Sequence, residues 1–505
     1  MSRLVLIAAA AGSGVLVALS LPAYCHHWLA WIALVPLFYG LRRAPVPVGA
    51  LLGLVFGAVL GAASFLWVMV IPDLKAQHFA LMIAVFSAYY AAFGALYAFA
   101  KRRLHGWLIL VAPALWVAAE YARGNFFFLA YPWNFLAHSQ HENLALIQIA
   151  DITGAYGVSF VLAMVNQFIA ELIDRARALR WRADALAAAS VVAATFIYGW
   201  HALSAQPPRG PSLRVAVVQA NVTTRNGMSV PEQMRHLGAY EELTRVAAAE
   251  KPELIVWPSS SLPGPISYWM IGLMVSDIAG HAGAPLLVGG AGGDKFAPAR
   301  DGKRPYSNSE FLVSAAGRLE GQYNKVRLTP FNEEVPLQGS LHWPSWITRV
   351  ESGFVRGDSY TVFHVGEARF GTPICWENAF PDLFRRFVAG GANLMVSVTN
   401  EAVFGASSGP YQTLAMSAFR AVENRVAIVR AATTGVSAYI DAKGRIVERV
   451  ADAAGQDLYV RGVLVRDVPL AQETTFYTRY GDLFAIAVSV AALFALGLAA
   501  WKERV

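Results

Sequence analysis

Long apolar runs separated by short basic turns fill the first 205 residues, and a different rhythm follows them. Leu4–Leu21, Trp28–Leu41, Val48–Ile71, Phe79–Ala100, Trp107–Tyr121, Gly157–Leu172, Ala185–Leu203 and Leu483–Trp501 are each apolar over about the length that carries a helix across ~30 Å of hydrocarbon. The pattern predicts about eight transmembrane helices. From "QPPRGPSLRVAVVQAN" onward the apolar runs shorten and are punctuated by Gly, Pro and Asn, with a linker around Pro207 to Pro211. β-Branched runs at Leu213–Gln219, Leu254–Trp257, Leu286–Gly289, Phe311–Ser314, Arg369–Ile374, Leu394–Val398, Ala427–Ala431 and Ser437–Ile440 read as buried strands. Helical patterns at Pro231–Ala249, Pro381–Ala389 and Thr413–Glu423 are interleaved with them. Such alternation predicts an α/β sandwich with helices outside the sheets. The expected organisation is residues 1–205 with spans one to seven, a domain at 212–475, and 476–505 with span eight and a tail.

Composition agrees: hydrophobic residues make up 56% of the chain and charged residues 15%, so membrane spans take precedence over a soluble reading. The first stretch reads as a retained helix, because "LPAYC" sets bulky Tyr24 where signal cleavage needs a small residue. Arg3, Arg42 with Arg43, Lys101 to Arg103, Arg175 to Arg182, and Lys502 with Arg504 fall at alternate turns, whereas the intervening turns carry little beyond Lys75 and Arg123. By the positive-inside rule both termini are cytoplasmic and the 212–475 segment lies on the opposite side. The net charge of +7 is mostly this topological signal and gives no case for nucleic-acid binding. Two cysteines, Cys25 and Cys375, form no disulfide framework, and Cys25 reads as an inert thiol at a helix end.

Candidate chemistry centres on "TPICWENAFP", where Cys375 ends a predicted strand and can project into a site built from loops. A free cysteine is by default a buried hydrophobe. In "YNKVRLTPFNEEVP", Lys325 follows a strand-like run and Glu333 and Glu334 fall in a Pro-bounded loop. A buried lysine there supplies a fixed positive charge that favours a thiolate and stabilises an oxyanion. The glycine-rich "GGAGGD" at 289–294 lacks dinucleotide-binding spacing and reads as a turn. Glu377, Arg420 and Glu423 read as an ion-pair set orienting the Cys375 loop, Asn400 as a turn stabiliser, and Tyr131 with Trp133 as interfacial aromatics. His138 and His141 lack a third ligand, so neither metal nor cofactor is implied. Glu120 and Arg123 stand at the end of span five, where they are candidates for a lipid entrance.

The order "VWP", "NKVRLTPFNEEVP", "CWE", "GANLMVSVTNEAVFG" and "RAVENR" resembles the carbon–nitrogen hydrolase (nitrilase) superfamily. In the first half, "PALWVAAEYARG", "YPWNFLAHSQ" and "GAYGVSF" are similar to the apolipoprotein N-acyltransferase family. The resemblance implies a Glu–Lys–Cys triad, with Cys375 as nucleophile, Lys325 as the lysine and Glu333 as a further glutamate. It implies Trp257, Trp376, Glu377 and Asn400 as substrate-site residues. Ser259 stands where the family has the triad glutamate, Asn332 where it has glycine, Trp376 for tyrosine, Glu401 for aspartate, Val403 for tryptophan and Arg327 for histidine.

Ser259 matters because a hydroxyl cannot hold the thiol proton near neutrality, and losing a general base costs about 10²- to 10⁴-fold. Three consequences stand open: Lys325 activates the thiol alone, Glu333, Glu334 or Glu377 substitutes, or catalysis is lost. The resemblance implies transfer of an acyl chain from phospholipid through a cysteine thioester to the α-amino group of a diacylglyceryl apolipoprotein at the bacterial inner membrane, with the catalytic domain in the periplasm. The alternatives are a non-catalytic paralogue that binds lipid or lipoprotein, and a membrane-tethered amidase.

Overall fold

A computed structural model describes residues 2–22, 24–72, 74–173, 181–205, 210–224, 227–293, 306–337, 339–347 and 354–501. Arg175, Arg177, Arg180, Pro207, Asp294, Lys502 and Arg504 lie outside the described residues. The chain forms two compact units: Met1–Gln206 with Ser407–Glu423 and Thr475–Val505, and Pro207–Ala406 with Asn424–Thr474.

The first unit is helical. Six helices among the described residues are long and apolar enough to cross a membrane: Arg3–Ser20, Val46–Val70, Ala76–Arg103, Ala155–Ile173, Arg182–Ser204 and Leu483–Trp501. The expected span Trp28–Leu41 is instead a 3-10 turn, His27–Trp31, followed by the short helix Val35–Leu41. The expected fifth span is the helix Leu108–Asn125, in which Glu120 and Arg123 are buried.

Close helix packing rests on glycines at four-residue spacing, Gly49, Gly53, Gly57 and Gly61. A Cβ on Gly53 would stand 1.9 Å from the carbonyl oxygen of Tyr90, and one on Gly94 would stand 2.1 Å from that of Gly49. The backbones of Val46–Phe65 and Ala76–Arg103 therefore touch, as small residues allow between helices in lipid. Gln412, on the helix Gly409–Asn424, joins this unit: its Oε1 accepts from the indoles of Trp67 at 3.1 Å and Trp133 at 2.8 Å, and its amide donates to Ser64 O at 3.0 Å. Trp133 is thus not an interfacial belt residue; it is buried, stacked on Tyr131 with 5.8 Å between ring centroids.

Among the described residues the second unit holds two six-stranded sheets. Its strands are β1 (Ser212–Gln219), β2 (Leu254–Val256), β3 (Leu286–Gly292), β4 (Ser307–Val313), β5 (Leu319–Asn324), β6 (Val362–Val365), β7 (Ala368–Gly371), β8 (Leu394–Thr399), β9 (Ile428–Ala432), β10 (Ala438–Ile440), β11 (Ile446–Arg449) and β12 (Gly462–Pro469). One sheet runs β12-β1-β2-β3-β4-β5 and the other β11-β10-β9-β8-β7-β6. The sheets face each other: Tyr439 of β10 donates to Val215 O of β1 at 2.6 Å, and Ser437 donates to Gln219 Oε1 at 2.5 Å. On the outer face of the first sheet, Ile255, Val288 and Phe311 pack with Leu237 and Tyr240 of the helix Val230–Ala248 and with Val275 of the helix Trp269–Ala282. That alternation leaves the intervening strand residues to face the other sheet, where the candidate chemistry lies.

The glycine contact yields a test of the first unit. Gly53→Val should force the two helices apart and cost about 1–3 kcal/mol as an overpacked contact does, read as a lowered melting temperature in detergent. Gly12→Ala, which has no neighbour within 4 Å of the added carbon, should leave it unchanged.

Candidate active site

Strands β4 and β5 build one wall. In their antiparallel register Glu310 faces Tyr323 and Ser309 faces Asn324, and the Lys325 N–H donates to Asn308 O at 2.8 Å. Asn308, Glu310, Tyr323 and Lys325 therefore share the inner face. Lys325 is only 2% exposed, and its Nζ lies 2.7 Å from Glu333 Oε2. Glu333 is in turn held by the Thr329 N–H at 2.8 Å and the Asn308 amide at 3.0 Å. Burial disfavours the Lys325 charge, but Glu333, the Cys375 sulfur and Glu377 more than offset it and hold the ammonium above its usual range. Burial likewise pushes the Glu333 carboxyl up, and Lys325 with the Thr329 and Asn308 donors reverses this and leaves it below the ordinary carboxylate range.

Cys375 follows β7 and opens the 3-10 turn Cys375–Ala379. Its φ of 50° is the left-handed conformation, which costs a non-glycine residue about 1–3 kcal/mol and collects at functional sites. The turn is fixed by Glu377, which is fully buried. Glu377 accepts from the Ile374 N–H at 2.8 Å, the Tyr323 hydroxyl at 2.9 Å, and the Val326 and Arg327 N–H groups at 2.8 and 2.9 Å. One carboxylate thus ties the backbone beside Cys375 to the backbone beside Lys325. Burial raises the Glu377 carboxyl and these donors only partly compensate, so its proton affinity stays high.

The remaining candidates separate. Ser259 is buried in the loop after β2, and Ser260 beside it has φ of 58°. Trp257 does not line a substrate site; it is fully buried on the helix side of the sheet, stacked on Tyr240 with 4.7 Å between centroids and donating to Thr244 Oγ1 at 3.0 Å. Trp376 is half-buried, edge-on to Phe380, over which the Arg327 guanidinium stacks at 3.6 Å. Asn400 accepts from the Ala402 N–H at 3.3 Å and the Thr433 hydroxyl at 3.0 Å, closing the turn into Ala402–Phe404. Glu334 pairs with Arg356 at 2.6 Å and so is engaged away from Lys325. Glu401 is buried and paired with Arg430.

Arg420 and Glu423 belong to the first unit, where they pair with each other at 2.9 Å and Glu423 accepts from the Ala155 N–H at 3.2 Å. Glu120 and Arg123 form no open lipid entrance either. Both are 1% exposed and pin the segment 131–136, Glu120 accepting from the Leu136 N–H at 2.7 Å and Arg123 donating to Tyr131 O at 2.9 Å. His138 Nδ1 accepts from the Phe135 N–H at 3.2 Å. His141 does have potential co-ligands, since Cys25 and Glu142 bring ligand atoms within 4.8 Å of one another and of its ring. Glu142 is exposed, 3.9 Å from the His141 ring nitrogen.

Sequence reasoning missed Glu310. It is fully buried, and neither carboxylate oxygen has a hydrogen-bond partner among the described residues. The expected strand started at Phe311, whereas β4 starts at Ser307 and carries Glu310 inward.

Known proteins resemble the chain over both units. The model of the apolipoprotein N-acyltransferase N-terminal domain matches residues 13–168, and that of the carbon-nitrogen hydrolases matches residues 214–476. The apolipoprotein N-acyltransferase of Geobacter metallireducens is 35% identical, over 98% of this chain and 95% of that protein. The one from Azotobacter vinelandii is 31% identical, over 90% of this chain and 87% of that protein. Among solved structures, an amidase of the nitrilase superfamily from Nesterenkonia sp. AN1 is 20% identical, over 56% of this chain and 96% of that chain, with a TM-score of 0.38. On the two domain matches and the full-length relatives, the chain belongs to the apolipoprotein N-acyltransferase family.

Proposed function

We propose that this membrane protein is an acyltransferase that moves a fatty acyl chain from a phospholipid to the α-amino group of the diacylglyceryl-cysteine of an apolipoprotein. Cys375 attacks the phospholipid ester carbonyl, the glycerol oxygen leaves as lysophospholipid, and a thioester remains on the sulfur. The amine nitrogen then attacks the thioester and releases the sulfur. Lys325, buried and charged, stabilises the oxyanion of both tetrahedral intermediates, and Glu333 keeps it ionised and aimed. Glu377 is a positioning residue: it sets the Cys375 turn against the Lys325 strand. In this reading the enzyme sits in the bacterial inner membrane with the 212–475 domain in the periplasm and both termini in the cytoplasm, as the distribution of Arg and Lys supports.

The observation that carries the reading is the buried Lys325–Glu333 pair at 2.7 Å beside a cysteine held in a left-handed conformation. A buried thiol kept for packing needs neither a fixed cation nor a strained backbone.

Incubation of the purified full-length protein with a fluorescent phospholipid should give a labelled, hydroxylamine-sensitive band on a gel. Cys375→Ala should abolish it. A native chain that never acquires label points to a lipid-binding paralogue instead.

Breaking the ion pair gives a second expectation. Glu333→Gln should destabilise the second unit by about 3–5 kcal/mol near neutral pH, since it leaves the buried Lys325 uncompensated. The Glu333 carboxyl is held below its ordinary range, so the stability it contributes is present above the ordinary carboxylate pKa and is lost as pH falls through the depressed one. Melting temperatures of native and variant chains should therefore converge in acid and diverge toward neutrality.

A further inference from the structure

A thiol that attacks an ester must surrender its proton, and the candidate site offers few acceptors. Lys325 is an ammonium ion and has nothing to accept with. Glu333 is committed to Lys325, Thr329 and Asn308, and these donors hold its proton affinity down. Glu377 is bonded by four groups, two of them backbone amides beside Lys325 and one beside Cys375. Ser259 has only a hydroxyl.

One carboxylate on the same face remains. We propose that Glu310 is the general base of acyl transfer in this chain, doing from β4 what a carboxylate at position 259 would otherwise do. The placement rests on Gly289 of β3, which pairs with Glu310 in the antiparallel register. A Cβ built on Gly289 would stand 2.4 Å from Glu310 Oε1 and 2.6 Å from Ser259 Cα. The carboxylate thus lies across the bare glycine and against the backbone of Ser259. The loop is fixed there: the Leu262 N–H donates to Gly289 O at 2.8 Å, and Ser261 Oγ accepts from the Gly289 N–H at 3.1 Å.

A carboxyl that is fully buried and has no hydrogen-bond partner among the described residues is a poor structural element, because burial without a hydrogen bond costs free energy. Burial pushes its proton affinity well above the ordinary carboxylate range, in the direction a proton acceptor working near neutrality requires. The Tyr240 hydroxyl is close enough to feel its charge but forms no bond with it.

In the first step the proton passes from Cys375 sulfur to Glu310 as sulfur bonds the ester carbon, and Glu310 returns it to the glycerol oxygen as the C–O bond breaks. In the second, Glu310 takes a proton from the attacking amine and returns it to sulfur as the C–S bond breaks.

This assignment rests on the transferase reading above, and the rate of Cys375 acylation by the fluorescent phospholipid separates the two. Glu310→Gln and Glu310→Ala should slow acylation of the full-length protein by about 10²- to 10⁴-fold without lowering the melting temperature. Adding Ser259→Glu to Glu310→Ala should recover much of that loss. A native chain that never forms a Cys375 adduct overturns both readings. A Glu310→Gln chain that acylates as fast as the native one overturns only the base assignment, as does a folded Ser259→Glu, Glu310→Ala chain no faster than Glu310→Ala alone.

Discussion

A single ammonium group taken out of water dictates the arrangement of the second unit's interior. Lys325 is charged at 2% exposure, and a lone buried charge of that kind would shed its proton or draw in water. Glu333 compensates it from 2.7 Å away, with its own spare lone pairs satisfied by Thr329 and Asn308. The loop that carries Glu333 is therefore bound to the end of β5 by charge. A cation fixed in this way needs no reorganisation when negative charge develops beside it, which is where electrostatic catalysis gains most.

The second constraint is the distance between that cation and the sulfur. It is set by Glu377, whose carboxylate gathers backbone amides from both walls of the site, Val326 and Arg327 on one side and Ile374 on the other. The left-handed conformation of Cys375 is tolerable because this clamp and the adjoining bridge between Ile374 and Val398 over-determine the turn. Binding one carboxylate to several backbone donors is stiffer than a pair of side chains would be, since amides have no rotamers to lose.

How far this was legible in the sequence follows from what each residue touches. The strands with continuous apolar runs, such as Leu213–Gln219 and Leu394–Val398, could be read because both of their faces are buried. The run before Lys325 read as strand-like and is β5; β6, β11 and β12 were not read, because most of their residues are part-exposed or exposed and no continuous buried run marks them. Cys375, Lys325 and Glu333 were found through motif order. Trp257 was misplaced by the same route: adjacency in a motif says nothing about which side of the sheet a side chain takes, and Trp257 takes the helix side with Ile255. The glycine ladder from Gly49 to Gly61 was present in the sequence as a plain four-residue repeat, but only the backbone contacts with Tyr90 and Gly94 give it meaning.

Glu310 was hidden for a more instructive reason. A carboxylate on a strand of polar residues looks solvated, and nothing local distinguishes it from Glu320 on β5, which is exposed. Its significance arises from two other positions, a glycine on β3 that leaves room and a serine after β2 that leaves chemistry undone. Three buried carboxylates then share the inner face and its margins with one ammonium, and their surroundings drive them apart. Glu333, with the ammonium and two further donors, is held as an anion; Glu377, with four donors, is a clamp; Glu310, with no donor among the described residues, has its proton affinity raised by burial alone. Division of proton affinity among neighbouring acids is how a site assigns one group to hold charge and another to move protons, and of the three only Glu310 can gain or lose a proton without breaking a bond that holds the fold together.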